Sequence, residues 1–340
     1  MSIYLPNGYI DFQPIYGSKL PYHFIIGGRG IGKTYGALKY AKDNHIKIMY
    51  MRRTQAQADI AGNPVFSPYK SINRDDGSNI QVRPISKYNS LIAELDTDGN
   101  VLNELGYTCA LSTISNIRSF DASDIDALVY DEFIPEPHER AIKDESSALF
   151  NAIETIGRNR ESMGRPPLKL IALSNSNDLT SPILKDLNLI GIIRRMEKKD
   201  LTLWQDMKRG ISLLIPKSSP ISGQKAGHSL YKLTQGSQFS EMALNNQFGN
   251  DEFDNIQSKP INEYKALVKV GDIYIYRHKS QQHYYCTKHG SGNIHSFGDS
   301  RIELARFRAV YPWLYQAYLN RIILFENENI ELTMREYLKV

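Results

Sequence analysis

Apolar residues in the first half of the chain fall into short runs, each closed by glycine, an acid or a polar pair. Tyr22–Ile26 (YHFII) runs into glycine, and Ile46–Met51 (IKIMYM) follows a short polar break. Ile125–Tyr130 (IDALVY) ends at Asp131-Glu132, and Leu168–Leu173 (LKLIAL) ends at Ser174-Asn175. All four read as buried strands. Between them, Lys33–Lys42 sets Tyr35, Leu38 and Ala41 at helical spacing, and Asp144–Arg158 puts Leu149, Ile153 and Ile156 on one stripe. Strand, glycine loop, helix, strand is a βαβ unit, so its two strands are expected to be parallel. Leu91–Leu95 and Val101–Ser112 flank the turn Thr97-Asp98-Gly99-Asn100, which predicts a β-hairpin. Gly62–Arg83, rich in Asn, Pro, Ser, Asp and Gly, reads as a long surface loop.

The alternation breaks after Leu187. The stretch Leu187–Gly223 mixes apolar runs with Arg194-Arg195, Lys198-Lys199 and Lys208-Arg209, and the Lys/Ser/Pro/Gly-rich Lys217–Gly227 reads as a linker. Beyond it, Val268–Arg277 and His283–Thr287 read as paired strands, and Arg301–Ile323 and Glu328–Leu338 as helices. The expected organisation is an α/β phosphate-loop domain at 1–197, a linker or lid segment at 198–229, and a smaller α+β domain at 230–340.

Composition changes this picture little. The 340 residues, 41% hydrophobic and 23% charged, suit one large and one small globular domain. A net charge of +4 cannot by itself argue for nucleic acid, so any such contact would rest on local clustering. Cys109 and Cys286 are too few and too distant for a disulfide framework, which predicts a reduced, intracellular setting. The N-terminus MSIYLPNGYIDF carries acid and proline where a signal peptide needs base and an apolar run. No stretch reaches the roughly 18 apolar residues of a membrane span, so no membrane association is expected.

The chemistry starts at Gly27-Gly28-Arg29-Gly30-Ile31-Gly32-Lys33-Thr34, a full match to G-x-x-x-x-G-K-[ST]. Glycines let backbone amides turn inward around phosphates, Lys33 reaches the β- and γ-phosphates of ATP, and the Thr34 hydroxyl ligates Mg²⁺. The strand before it and the helix opening at Lys33 supply the required context, with the helix dipole favouring an anion. Asp131-Glu132 is the natural second half: Asp131 holds Mg²⁺, and Glu132 polarises the attacking water. Asn175, at another strand's carboxyl end, either senses the γ-phosphate or caps a turn. Arg158 and Arg160 close a helix as dipole partners or as an arginine finger, and Arg29 competes as a cis arginine near the γ-phosphate. His283-x-x-Cys286-x-x-His289 does not read as zinc, since alternate strand residues face apart. The acids Asp251, Glu252, Asp254, Asp272 and Glu303 do not read as a two-metal nuclease, because the strands IYIYR and HYYCT hold none of them.

The segments FIIGGRGIGKT, IMYMRR, VYDEF, SAL…RNRE, LSNS and SEMALNNQFGND together resemble the DNA-packaging ATPases (encapsidation proteins) of small protein-primed podoviruses, over roughly Pro21 to Asp254. The resemblance implies an additional-strand (ASCE-type) P-loop ATPase domain akin to large terminases, followed by a vestigial RNase H-like nuclease domain. It implies a homomeric ring, typically a pentamer, on the portal (connector) of a prohead, translocating double-stranded DNA, with a packaging RNA in some members. Such a protein works in the host cytoplasm, docks transiently at the portal vertex and is absent from the mature virion. The trans-acting arginine falls on Arg158, although Gly157 stands where an aromatic is familiar. Lys70 and Arg74 become candidates for contact with DNA phosphates. Two other functions are weighed beside this one: a terminase-like ATPase that also cuts DNA, and a nucleotide-gated protein that docks on a capsid.

Overall fold

The apolar runs of the first half do pair with one another in parallel. The computed structural model describes residues 3–117, 121–136, 139, 142–175, 181–216, 219–237, 253–290 and 294–339. The described residues of 1–183 and 196–249 make a larger unit, and those of 184–195 and 250–340 a smaller one.

The larger unit is built on a nine-stranded sheet, ordered β3-β4-β5-β2-β6-β7-β1-β9-β8. Its strands are β1 (Tyr22–Ile26), β2 (Ile48–Arg52), β3 (Ile80–Pro84), β4 (Ser90–Leu95), β5 (Val101–Ala110), β6 (Ala127–Asp131), β7 (Lys169–Ser174), β8 (Leu203–Asp206) and β9 (Ile211–Leu214). From β5 to β9 all neighbours are parallel, while β3-β4-β5 and β8-β9 close the edges antiparallel. One strand, β7, lies between β1, which enters the phosphate loop, and β6, which ends in Asp131. The central strands are buried on both faces. Ile25, Ile48, Tyr50, Val129, Ile171 and Leu173 pack with Ala37, Leu38 and Ala41 of the helix Lys33–Asp43, and Phe24, Ile26, Met49, Met51, Leu128 and Tyr130 are equally buried.

Four readings need correction. Gly62–Arg83 is not a bare loop, for it holds the helix Lys70–Asp76 and strand β3. Tyr69 and Ile72 are buried there, and the Asn73 side chain both donates to Ile80 O and accepts from Ile80 N, at 2.8 Å each. A few apolar anchors and one bridging amide thus order a polar stretch. The segment 198–229 carries the hairpin β8-β9, whose inner strand lies directly against β1. In the smaller unit, VKVGDIYIYR is itself a hairpin turning at Gly271, and the helix expected over Arg301–Ile323 stops at Val310 ahead of Pro312 and resumes at Trp313.

The smaller unit has a five-stranded mixed sheet, β13-β10-β11-β12-β14. It is formed by β10 (Tyr264–Val270), β11 (Ile273–His278), β12 (Tyr284–Thr287), β13 (Ser296–Phe297) and β14 (Ile323–Phe325). Val268, Ile275, Cys286, Phe307, Leu314, Phe325 and Met334 form its core. Within this unit Lys185 pairs with Glu336 at 3.1 Å, and Asn329 donates to Lys185 O at 3.0 Å. No strand of this sheet contains Asp or Glu. Of the five acids weighed for a nuclease, Asp251 and Glu252 lie outside the described residues. Asp254 pairs with Arg321 and Glu303 with Arg306. Among the described residues no helix is long and apolar enough to cross a membrane.

Gly106 is where the β2–β5 pairing depends on a missing side chain. Its φ is +136°, and a Cβ there would sit 1.8 Å from Ile48 O. Gly106→Ala is expected to cost about 3 kcal/mol or more, through strain and a separated ladder. Chemical denaturation measures this, and an unchanged midpoint would show that the pairing tolerates the methyl.

Candidate active site

Parallel pairing aligns the carboxyl ends of β1, β2, β6 and β7 along one edge of the sheet. The register sets Ile26 beside Ser174, Asp131 beside Leu173 and Met51 beside Tyr130, so Arg52 and Asp131 end their strands together. Ligands of open parallel sheets bind at such edges.

The loop Gly27–Thr34 leaves β1 at this edge. Gly27 N donates to Ser174 O at 3.1 Å, fastening the loop to β7. Gly30 and Gly32 have φ of +75° and +78°, and Tyr9 fills the space over Gly32 that a Cβ would need. Lys33, at the start of the helix, folds its ammonium back into the loop and donates to Gly27 O and Gly28 O, both at 2.7 Å. Burial pulls its pKa down to about 7; Asp131 and Glu132 oppose the shift, while Lys225 and Arg29 add to it.

Asp131 is the hub. Its carboxylate, buried, accepts from Thr34 Oγ1 at 3.1 and 3.0 Å, from Tyr50 Oη at 2.8 Å and from Arg52 Nη1 at 3.2 Å. Burial also holds the Tyr50 hydroxyl well above its usual pKa, so it stays a donor. Glu132 follows with φ of +58°, a conformation that strains a residue bearing a Cβ. Its carboxylate is accessible and pairs with Arg52 Nη2. Thr34 and Asp131 present hard oxygen donors to one point, which is the donor chemistry Mg²⁺ needs.

The remaining candidates separate by environment. Arg29 points outward, 54% exposed, and pairs with Glu136 at 2.8 Å. Asn175 lines a cleft of about 270 Å³ with Tyr9, Gly30, Gly32, Lys33, Thr34, Tyr35 and Arg74. Arg74 therefore stands at the rim of that cleft, 75% exposed and paired with Asp75, while Lys70 is exposed on the same helix. Arg160 is consumed by its own unit: its guanidinium donates to Ile125 O, to Pro166 O at 2.7 Å and to Asp126 Oδ1 at 2.9 Å. Arg158, at the end of the helix Glu145–Gly157, is 44% exposed and lies 3.8 Å from Asp121.

Four contributors escaped the sequence reading. Tyr50 and Arg52 share one face of β2 two residues apart, so strand periodicity could have paired them with whatever ends the next strand. Arg53, on the opposite face, is fully buried and grips Glu145 at 2.6 and 2.9 Å and Glu139 at 2.7 Å. It ties the end of β2 to the chain that follows Asp131-Glu132. Lys225 reaches Arg29 O at 2.5 Å from the helix Pro220–Ala226, a contact no local pattern announces.

Arg160→Ala is expected to destabilise the fold by about 3 kcal/mol, because it strips partners from buried carbonyls and Asp126. Arg158→Ala is expected to shift stability by less than about 1 kcal/mol. Urea denaturation of both variants checks the contrast, and equal losses would contradict it.

Over 234 residues the chain is 27% identical to the DNA packaging proteins of Bacillus phages PZA and phi29, a match covering 67% of this chain and 62% of theirs. It thus spans less than two thirds of the length of the curated relatives it matches. Two solved structures are similar along nearly the whole chain. One is the Phi-28 gp11 DNA packaging motor, with 21% identity, a TM-score of 0.62 and 98% of each chain covered. The other is the bacteriophage Phi-29 viral genome packaging motor assembly, with 19% identity, a TM-score of 0.66 and coverage of 97% of this chain and 98% of that one. At these identities the likeness is one of fold. The sequence profile of the podovirus DNA encapsidation proteins (Gp16) matches residues 9–275, well over half of the chain, and this protein belongs to that family.

Proposed function

We propose that this chain is the ATPase subunit of a viral genome-packaging motor, hydrolysing ATP to drive double-stranded DNA into a prohead. The observation that carries the reading is the convergence of Lys33, Thr34, Asp131, Glu132 and Arg52 at one edge of a parallel sheet. Membership of the encapsidation family supplies the context. A strand between the phosphate-loop strand and the acidic strand supports an additional-strand (ASCE-type) P-loop ATPase. The absence of carboxylates from its strands among the described residues supports reading the smaller unit as a vestigial, RNase H-like nuclease domain that does not cut DNA.

Lys33 exchanges the carbonyls of Gly27 and Gly28 for β- and γ-phosphate oxygens of ATP. Thr34 and Asp131 would hold Mg²⁺, which, when bound, neutralises charge on the phosphates. Glu132 accepts a proton from the attacking water once Arg52 releases it. Arg158, exposed at the end of its helix, is offered to a neighbour's ATP in a ring of identical subunits, typically five, seated on the portal. Asn175 orients the γ-phosphate or the water. Lys70 and Arg74 are the candidate DNA-phosphate contacts, with Arg74 also near enough to the cleft to report nucleotide. On this reading the protein works in the host cytoplasm and is bound at the portal only while packaging proceeds.

ATP turnover is measured with and without duplex DNA, across a concentration series that follows assembly. Duplex DNA of any sequence is expected to raise turnover, and no rise would sink the motor reading. Glu132→Gln is expected to keep nucleotide affinity within about threefold while turnover falls about a hundredfold or more. Mixing it with Arg158→Ala subunits restores part of the turnover if the arginine acts in trans; no recovery at any ratio removes Arg158 from that role.

Lys33 gives a pH signature. Its pKa near 7 in the free protein rises when an anionic triphosphate replaces the carbonyls. Binding above pH 7 therefore takes up a proton, and affinity falls as pH rises, by up to about tenfold per unit. Calorimetry at pH 8.5 in buffers of differing ionisation heat is expected to show uptake approaching one proton, and little at pH 6. Affinity independent of pH from 6 to 9 would refute this.

A further inference from the structure

The helix Pro220–Ala226 lies in the segment read as linker, yet it sends an ammonium onto the phosphate loop. Lys225 Nζ donates to Arg29 O at 2.5 Å and occupies the space over Gly30, 1.9 Å from where a Cβ would stand. Among the described residues it has no carboxylate partner, and burial lowers its pKa. A partly desolvated ammonium satisfied by one neutral carbonyl gains strongly from an anion.

Its position is fixed rather than incidental. Strand β9 pairs with β1 up to Leu214, so the chain leaves the sheet beside the loop, and Pro216 approaches Gly27. Ser219 accepts from Ile221 N at 3.1 Å and contacts Gly8 O at 3.4 Å, and Ile221 fills the space over Gly8. Three consecutive carbonyls of the loop, Gly27, Gly28 and Arg29, are thus held by two lysines from different elements.

We propose that Lys225 is a second phosphate-binding lysine of the nucleotide site, exchanging Arg29 O for a phosphate oxygen when nucleotide binds and thereby tying the helix Pro220–Ala226 to site occupancy. This rests on the nucleotide reading of the loop. It adds that the segment after the last sheet strands contributes to binding.

The test is equilibrium binding of AMP-PNP with Mg²⁺ to the full chain, for the parent and for Lys225→Ala, Lys225→Gln, Lys225→Arg and Lys33→Ala, with melting temperatures recorded for all. Lys225→Ala and Lys225→Gln are expected to weaken binding about tenfold or more, the worth of one charge-assisted hydrogen bond, with unchanged melting temperature. Lys225→Arg, which keeps the charge, is expected to stay within about threefold of the parent. Parental affinity in Lys225→Ala overturns the proposal, as does a loss in Lys225→Arg as deep as in Lys225→Ala. A parent that does not bind AMP-PNP would instead refute the nucleotide reading. Loss in Lys33→Ala alone would leave that reading standing and remove Lys225 from it.

Discussion

The Asp131 carboxylate is the point on which the rest of the larger unit depends. A buried carboxylate is tolerated only when its lone pairs are filled, and here three donors come from two elements: Thr34 from the helix after the loop, Tyr50 and Arg52 from β2. They converge only because β2 and β6 pair in one register. A slip of one residue would turn Tyr50 and Arg52 to the opposite face and leave Asp131 unsatisfied. The site and the sheet register therefore specify each other. Arg53, one residue further along the chain but on the other face, does the same for Glu145 and Glu139.

What was legible in the sequence follows from this physics. Strands buried on both faces must be unbroken apolar runs, so β1, β2, β6 and β7 announce themselves, and the loop between β1 and its helix is a purely local pattern. Edge elements carry no such signal. The strand β8 alternates between exposed and partly buried, and its partner β9 spans only Ile211–Leu214. The helix Lys70–Asp76 is held by Tyr69, Ile72 and one asparagine bridge within a polar stretch. Strand order, and with it the insertion of β7 between the loop strand and the acidic strand, is a property of tertiary pairing that no local pattern encodes.

Side-chain roles divide in the same way. Lys33, Thr34, Asp131 and Glu132 are candidates that local context alone picks out. Arg158 and Arg160, two residues apart, looked equivalent as charges near a helix end. The turn that follows Gly157 buries Arg160 against Ile125, Asp126 and Pro166 and leaves Arg158 in the open. A guanidinium with all three nitrogens committed to its own unit is a structural element, whereas one at an accessible helix end is open to a neighbouring molecule.

The cations around the loop share a further property. Lys33 is held by Gly27 and Gly28 carbonyls, Lys225 by the Arg29 carbonyl, Arg29 by Glu136, and Arg52 by Asp131 and Glu132. The carbonyl contacts of Lys33 and Lys225 are weaker than the same groups' contacts with a phosphate oxygen, and the Arg52 pairs compete with the roles proposed for Asp131 and Glu132. The groups sit on separate elements: a helix start, the helix Pro220–Ala226, the loop itself and the end of β2. On the proposed nucleotide reading, a triphosphate entering the loop would exchange several partners at once. On the proposed function each exchange would alter how an element is attached to the sheet edge, so that binding energy goes into a change of connections rather than into affinity. That conversion is what a motor subunit requires of its nucleotide.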